Sequence, residues 1–114
     1  MKISAEITEP TEYKGFVIEP WYGRFVPLSD RAGAVASFIV RKEKVTSVFA
    51  FAISLLNAMT KQILDRELMG KTQETIRNYI DKGKLVNLKE FTFEFESGEF
   101  VEVDDPKWWI KSRI

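Results

Sequence analysis

Three acidic residues near the carboxyl end are the first candidates for chemistry. Glu102, Asp104 and Asp105 lie within four positions of the sequence, and closely spaced carboxylates can bind a divalent metal ion or share acid-base work in glycoside hydrolysis. Asp105 precedes Pro106, however, which is the arrangement of a helix cap and a first helical residue. Glu102 and Asp104 are expected on the polar face of a hairpin. We therefore favour a solvated acidic face over a metal or catalytic site.

Other catalytic chemistry is restricted by the residue types that the chain lacks. It contains no cysteine and no histidine, which excludes disulfides, thiolate nucleophiles, thiolate metal sites and imidazole acid-base catalysis. The sequence also shows no nucleophile elbow, phosphate-binding loop or paired-carboxylate motif. It therefore predicts a non-enzymatic protein with no catalytic residue, no metal and no cofactor.

Acidic residues are concentrated in one stretch. Residues 90–105 carry seven acidic side chains and no basic one, although 17 basic residues balance 17 acidic ones in the whole chain. A surface of one sign can dock on a partner of opposite sign. A net charge of zero gives no overall attraction to nucleic acid or to a membrane, so we expect a protein partner or a second copy of the chain. The predicted partner-binding glutamates are Glu94, Glu96, Glu99 and Glu102.

Residues 70–86, GKTQETIRNYIDKGKLV, are predicted to form a helix between two glycines. Thr72 is the expected cap, Glu74 lies in the first turn, and Gly83 ends the helix. The polar and basic residues then follow the outer face. The residues expected to point inward are Ile76, Tyr79 and Ile80.

The spacing of several residues in this helix, followed by a hairpin and DDPKWW, matches a known pattern. The matching residues are Gly70, Thr75, Ile76, Arg77, Tyr79, Gly83 and Leu85. Residues 60–112 thereby resemble the winged helix-turn-helix domains of mercury-resistance-type regulators and phage excisionases, in which this helix enters the DNA groove. The resemblance implies contacts with phosphates or base edges from Lys71, Gln73, Arg77 and Asn78.

Several residues depart from that pattern. Arg66 stands four positions before Gly70, where the family has a small residue. The acidic stretch 90–105 would lie where the wing approaches the phosphate backbone and would be repelled by it. Glu74 and Asp81 are both within pairing reach of Arg77 on a helix. Nucleic-acid binding is therefore the disfavoured alternative.

A second similarity covers residues 12–65. The opening EYKGFVIEP is similar to the opening of small mobile-element and integron-cassette proteins, which continue through strands and end in a helix. This similarity implies a small protein of a mobile genetic element and adds no site residue.

Aromatic residues suggest a third function. Trp108 and Trp109 are adjacent, so on a helix their side chains point about 100° apart, and one can pack on the core while the other lines a pocket. Together with Trp21 and Tyr22 they could form a small-molecule pocket. We prefer the interpretation that these residues close the sheet, which places a small-molecule-binding module third.

The first elements of the chain read as strands. Residues 12–19 mix aromatic and β-branched side chains and are followed by Pro20, which suits a strand that ends at a turn. A long connection follows, with a short extended piece at residues 24–26. Residues 34–41 form a second predicted strand, with Phe38 and Val40 on one face.

A long central helix is predicted next, capped by Thr46 or Ser47 and ended near Met69 by Gly70. Its first half, VFAFAISLL, is apolar on every side, so periodicity does not exclude a strand there. A helix of this kind must be covered from several directions, by the sheet or by a second copy. We therefore expect a homo-oligomer.

The stretch after residue 90 is predicted to be a hairpin followed by a short helix that Asp105 caps. A three-residue turn at residues 96–98, with Gly98 left-handed, places Phe93 opposite Val101, whereas a two-residue turn would place Phe93 opposite Glu102. We prefer the three-residue turn, which also places Phe91 opposite Val103.

The predicted order of elements is β-β-α-α-β-β-α, which indicates an α+β fold. An antiparallel sheet is packed by one long central helix and two shorter helices, in a single domain over residues 1–114. The start of the chain has no apolar run of signal-peptide length, and Val48 to Leu56 is too short to cross a bilayer. We therefore expect a soluble, cytoplasmic protein.

Overall fold

A computed structural model describes residues 7–27, 33–54 and 65–104 of the chain. Within these ranges the chain forms six strands and a helix. Their bounds are β1 Thr11–Tyr13, β2 Phe16–Pro27, β3 Gly33–Lys42, β4 Val45–Ser54, α1 Asp65–Asp81, β5 Lys89–Glu96 and β6 Glu99–Glu102.

The six strands form a single mixed sheet in the order of the sequence. Neighbouring strands are antiparallel except β4 and β5, which run parallel. A parallel pair needs a crossover connection, and α1 lies in the connection between β4 and β5. The helix residues Leu68, Met69, Ile76 and Ile80 join the core cluster formed with one face of the sheet.

The predicted fold class was wrong. The described sheet is mixed and not antiparallel, and the segment that begins at Val45 is a strand and not the start of a long helix. This segment is β4, a central strand between β3 and β5. Phe49 and Phe51 are fully buried, and so are Ala50 and Ala52 on the opposite side of the strand. A strand covered on both faces is apolar all round, which explains a pattern that resembled a buried helix. Residues 55–64, the rest of the predicted long helix, lie outside the described residues.

The boundary predicted at Gly70 was also wrong, because α1 begins at Asp65 and passes through Gly70 without a break. A methyl group added at Gly70 would meet nothing within 4 Å. Thr72 therefore lies inside the helix and does not cap it. Its hydroxyl instead donates a hydrogen bond to the carbonyl of Met69 at 2.7 Å.

The predicted end of this helix at Gly83 is confirmed. Gly83 has a φ of +66°, the left-handed conformation that glycine adopts most readily. The amide of Lys84 donates to the carbonyl of Tyr79 at 3.0 Å, and the amide of Gly83 donates to that of Ile80 at 3.1 Å. These two bonds define a Schellman motif.

The strand predicted over residues 12–19 is in fact a hairpin of β1 and β2. Lys14 and Gly15 form its turn, with φ values of +51° and +85°, as in the type I′ turns that join two-residue hairpins. Pro20 does not end β2, which continues to Pro27 with a shift of register after Pro20. The second predicted strand is confirmed as β3.

The hairpin of β5 and β6 uses the two-residue turn that the sequence analysis rejected. Ser97 and Gly98 both have positive φ, and Phe93 is paired with Glu102. Phe95 faces Phe100 across the hairpin, with ring centroids 5.2 Å apart. The alternative register was preferred because it paired apolar residues, but it would have removed Phe100 from the core face.

The helix predicted after Asp105, with Trp108 and Trp109, lies outside the described residues. The predicted element order is nevertheless wrong, because the described part of the chain is β-β-β-β-α-β-β. Among these residues, no helix combines the length and the apolar character that spanning a bilayer requires.

Candidate functional site

A cleft of about 220 Å³ lies between α1 and the hairpin of β5 and β6. We call it the helix–hairpin cleft. The helix contributes one wall, and β6 with its turn contributes the other. Its charged lining residues are Lys71, Glu74, Lys82, Glu99 and Glu102.

The floor of the helix–hairpin cleft is aromatic. Tyr79, Phe93 and Phe100 line it, and Thr75 and Asn78 add polar groups from the helix. The ring of Tyr79 stands edge-on to that of Phe93, with centroids 5.3 Å apart. Phe93 and Phe100 are both buried. The floor is therefore part of the hydrophobic core, and its position is fixed by core packing.

The aromatic floor also extends below Tyr79. The ring of Tyr79 makes edge-on contacts with Phe49 and Phe91, at centroid distances of 5.7 and 5.3 Å. Edge-to-face pairs of this kind are favourable beyond the area that they bury. The sequence places an aromatic side chain at every second position of β5, and the parallel pairing aligns them with Phe49 and Phe51 of β4.

Tyr79 connects the helix to β6 through a hydrogen bond. Its hydroxyl donates to a carboxylate oxygen of Glu102. Burial of the ring, and then this bond to an acidic side chain, raise the pKa of Tyr79 well above its ordinary value. Tyr79 therefore remains a protonated donor at neutral pH.

The remaining charges of the cleft have no ion partner within the described chain. The described ion pairs are those of Lys14 with Asp81 and of Arg41 with Glu19, so neither lysine of the cleft pairs with a carboxylate among the residues described. Glu99 and Glu102 of β6 lie across the cleft from Lys71 and Lys82, and Glu74 lies on the same wall as the two lysines. The carboxylates of the lining outnumber its ammonium groups by one, and Lys84 lies over the Tyr79 ring.

The glutamates predicted as a partner surface do not lie together. Glu99 and Glu102 line the cleft, whereas Glu96 is exposed beside the turn. Glu94 is paired with Val101, and both alternate with the core-facing phenylalanines, which places Glu94 on the other face of the sheet. The placement of Glu102 on a polar outer face was wrong, because Glu102 lies on the same face as α1.

The four residues expected to contact nucleic acid do not form one face of the helix. Lys71 and Asn78 line the cleft and face its glutamates. Arg77 lies on the opposite side, 5.2 Å from the centroid of the Tyr13 ring. The side-chain nitrogen of Gln73 is buried and has no hydrogen-bond partner in the described chain. DNA binding by this helix stays a prediction, although α1 is continuous where the resemblance requires a turn.

A second polar cluster lies at the end of α1. The carboxylate of Asp81 accepts a hydrogen bond from Lys14 Nζ at 2.6 Å and from the Tyr13 hydroxyl at 3.0 Å. The hydrogen bond from Lys14 is the largest cause that lowers the pKa of Asp81, and the same contact raises the pKa of Lys14. Helix spacing places both Glu74 and Asp81 within reach of Arg77, whereas the observed partners of Asp81 are Tyr13 and Lys14, which no local pattern in the helix indicates. The signal that could have found them is the turn in YKGF.

The predicted aromatic pocket is only partly described. Trp21 lies on β2 and is 60% exposed. The side chain of Tyr22 lies outside the described part of the structure, as do Trp108 and Trp109. The aromatic residues that do form a cleft, namely Tyr79, Phe93 and Phe100, were predicted only as core or hairpin residues, because their common location depends on a contact between α1 and β6.

Comparison with protein-family models, with curated proteins and with solved structures finds no match for this chain. Among the described residues, no group of three or more acidic side chains is placed so that it could hold a metal ion. The function is therefore argued from the helix–hairpin cleft alone.

Proposed function

We propose that this protein is a non-enzymatic binding module that holds a cationic side chain of a partner protein in the helix–hairpin cleft. The observation that carries the proposal is that Glu74, Glu99 and Glu102 all line one cleft that has an aromatic floor. The acidic hairpin thereby retains its predicted role. The partner-binding residues become Glu99 and Glu102, together with Glu74 of the helix.

The physical basis of recognition is complementary charge at exposed carboxylates beside a buried aromatic floor. Hydrogen bonds between an ammonium or guanidinium group and carboxylates are about twice as strong as neutral ones. A cation over an aromatic ring adds a further attraction, which grows when water is excluded. Tyr79, the half-buried ring of the floor, provides this contribution, whereas Phe93 and Phe100 are buried.

The size of the cleft favours a single side chain. Pockets for drug-sized ligands span roughly 300–1,000 Å³, and this cleft measures about 220 Å³. Lys71 and Lys82 flank the acidic groups, and their ammonium groups can donate to main-chain carbonyls beside the inserted residue. The two lysines also disfavour a strongly polybasic partner, because like charges repel across an interface.

Titration by nuclear magnetic resonance tests this proposal. The probes are Nα-acetyl-arginine amide and Nα-acetyl-lysine amide, with Nα-acetyl-glutamine amide as the neutral control. We expect saturable shifts of the amide signals of Tyr79, Glu99 and Phe100 with both cationic probes and none with the glutamine probe. Equal responses to all three would contradict the proposal.

Two glutamine variants make the test specific to the cleft. Glu99→Gln should weaken binding of the arginine probe about tenfold, because it removes a charge-assisted hydrogen bond. Glu96→Gln removes the same charge from the same hairpin turn and should leave binding unchanged. A similar loss in both variants would show that only the general negative field of the hairpin matters.

Two further probes separate the alternative functions. Free arginine carries a carboxylate and an amino group that the capped probe lacks, so binding of free arginine alone would favour a small-molecule module. A mixed-sequence DNA duplex that shifts Lys71 and Asn78 at low salt, and loses affinity in Arg77→Ala, would favour the DNA-binding alternative.

The expected homo-oligomer stays a prediction. Its proposed seam, an apolar helix half, is the central strand β4, in which Phe49 and Phe51 are buried. That segment therefore offers no exposed helix surface for a second copy. Light scattering at high protein concentration tests whether the chain self-associates by another surface.

A further inference from the structure

Lysines from three separate segments meet at one end of the sheet. The β1–β2 turn, the β3–β4 turn and the connection before β5 are adjacent there, because β2 begins, β3 ends, and β4 and β5 begin at this end. A methyl group added at Gly15 would lie 3.1 Å from the Lys42 side chain, which shows how close two of the turns are. We call this region the basic end. Its lysines are Lys14, Lys42, Lys44, Lys82, Lys84 and Lys89.

The basic end differs in charge from the molecule as a whole. The chain has no net charge, which is why the sequence analysis expected no membrane partner. At the basic end, however, six lysines are accompanied by Glu43, by Glu90 next to Lys89, and by Asp81, which already binds Lys14. The fold therefore creates a local positive surface that the total charge conceals.

One of these segments, the connection before β5, carries an exposed leucine. Leu88 is 85% exposed and Val86 is 54% exposed. Residues 86–89 form a turn closed by the Lys89 amide, which donates to the Val86 carbonyl at 3.2 Å. Leu88 occupies the third position of this turn with a φ of +64°. Glycine or asparagine is the usual residue at that position of a turn with positive φ.

The turn is held firmly against the start of β4. The amide of Leu88 donates to the Thr46 carbonyl at 2.7 Å, and the amide of Thr46 donates to the Asn87 side chain at 3.0 Å. The Ser47 hydroxyl donates to the Val86 carbonyl at 2.8 Å. The backbone is thus fixed, and the leucine side chain projects away from the core. A residue that is strained and also exposed indicates a use outside the fold itself.

We propose that the basic end is a peripheral docking surface for an anionic lipid bilayer, into which the side chains of Leu88 and Val86 insert between lysines. Lysines near a membrane gain attraction to anionic headgroups, and an apolar side chain gains by entering the acyl region. Headgroup attraction and insertion act together when an exposed apolar side chain has lysines around it. The turn at residues 86–89 presents Leu88 and Val86 in this way.

Nucleic acid fits the same surface less well. Phosphates would engage the lysines, but Leu88 would gain nothing from them. The arginines near this end, which could read base edges, are already occupied, since Arg41 pairs with Glu19 at 2.5 Å and Arg77 lies over the Tyr13 ring. The proposal is independent of the helix–hairpin cleft. Lys82 lines the cleft and Lys84 lies 5.1 Å from the Tyr79 ring, so both border the two regions and neither is used as a variant.

Sedimentation with lipid vesicles tests the proposal. The full chain is mixed with vesicles of phosphatidylcholine alone or with about one-third phosphatidylserine, at low and at high salt. We expect binding to the phosphatidylserine vesicles at low salt and release at high salt, because headgroup attraction is screened. No preference for the anionic vesicles at low salt would overturn the proposal.

Variants separate the two contributions. Leu88→Asn keeps a residue that suits the left-handed turn, and it should lower the vesicle partition coefficient about tenfold. Lys42→Gln and Lys44→Gln should each lower it about fivefold. Arg66→Gln, the same change of charge on an exposed residue of α1 away from the basic end, should have no effect. Unfolding transitions of each variant confirm that the fold is retained.

The pattern of losses decides the outcome. A lysine-dependent loss with no effect of Leu88→Asn would overturn insertion of the leucine. If the lysine variants lose binding to a mixed-sequence duplex while vesicle binding is absent, the surface binds nucleic acid and the lipid proposal fails. An equal loss in Arg66→Gln would show that only total charge matters, which also contradicts the proposal.

Discussion

Two tyrosine–carboxylate pairs flank α1, and they differ in their surroundings. Tyr79 donates to Glu102 beside a buried aromatic cluster, whereas Tyr13 donates to Asp81 at the exposed end of the helix. Lys14 neutralises Asp81 directly. Among the described residues no cation pairs with Glu102, and Lys84 lies instead over the Tyr79 ring at 5.1 Å.

The difference separates a structural contact from a candidate binding site. At the end of the helix, each charge has a partner of opposite sign, and the cluster fastens α1 to the β1–β2 turn. In the helix–hairpin cleft, Lys71 and Lys82 also line the walls, but neither forms an ion pair with a carboxylate among the described residues. The exposed glutamates of the cleft can therefore pair with a cation from another molecule, and this contrast supports the cleft as the binding site.

The largest expected effect on stability comes from the aromatic floor of the helix–hairpin cleft, which supports the Tyr79–Glu102 pair but not the Tyr13–Asp81 pair. Phe93→Ala should lower the free energy of unfolding by about 3–5 kcal/mol, because it removes a buried aromatic ring that packs on Phe49, Phe51 and Tyr79. Phe16→Ala, near the second pair, should cost clearly less, because Phe16 is only half-buried. Denaturant unfolding of both variants measures the difference. Equal losses would mean that the two regions are supported alike.

Removal of the tyrosine hydroxyls should have a smaller effect that again differs between the pairs. Tyr79→Phe should lower the free energy of unfolding by about 1 kcal/mol, because a partly desolvated hydrogen bond to a carboxylate is lost. Tyr13→Phe should cost less than about 0.5 kcal/mol, since its contact is exposed and Lys14 still binds Asp81. The same unfolding measurement tests both variants. A larger loss for Tyr13→Phe would reverse the comparison.

The ionisation of the tyrosines provides a test that does not depend on unfolding. Burial and the contact with Glu102 raise the pKa of Tyr79. An ordinary tyrosine ionises near pH 10, and Tyr79 should form its phenolate at a higher pH than that. The protonated ring therefore stabilises the fold below about pH 10, and this contribution is lost as the pH rises through the folded-state pKa. Ultraviolet titration should show a late-ionising tyrosine that disappears in Tyr79→Phe. An unchanged late phase would assign it to another residue.

Part of the fold was predictable because its signals are local. The alternation in residues 34–41 identified β3, and Gly83 identified the end of α1. The turn at Lys14 and Gly15 was equally local but was read as the interior of a strand. Glycine is usual in such a turn, but lysine at its first position is not, which is why the hairpin signal is weak.

The rest depends on contacts between distant segments. The apolar run of β4 suits a buried helix and a buried strand equally, and only pairing with β3 and β5 distinguishes them. The observed register of the β5–β6 hairpin buries Phe100 in the core and places Glu102 beside Tyr79. Both contacts involve distant segments, so no local sequence pattern reveals them. The predictions assigned Glu99 and Glu102 to a partner-binding surface and Lys71 and Asn78 to nucleic-acid binding. They were not predicted to share one cleft, because the sequence does not show that α1 lies against β6.

The smallest expected effect concerns the neutralised pair at the end of the helix and depends on pH. The folded-state pKa of Asp81 is lowered, chiefly by its hydrogen bond with Lys14. A lowered pKa means that the carboxylate contributes stability above its unfolded pKa, about 3.9. That contribution is lost as the pH falls through the folded-state value. The pKa of Lys14 is raised, so the contribution of its ammonium group is lost only at alkaline pH, above about 10.4.

Asp81→Asn should therefore be slightly less stable than the native chain at neutral pH, and the difference should vanish in acid. Lys14→Gln is the matched control, because it removes the same ion pair but leaves Asp81 to titrate near its ordinary value. Denaturant midpoints at neutral pH and at steps below pH 4 provide the measurement. If the difference between the native chain and Asp81→Asn stayed constant across this range, the ion pair would contribute nothing to the fold. The Tyr13–Asp81 and Tyr79–Glu102 pairs would then differ only in how deeply they are buried.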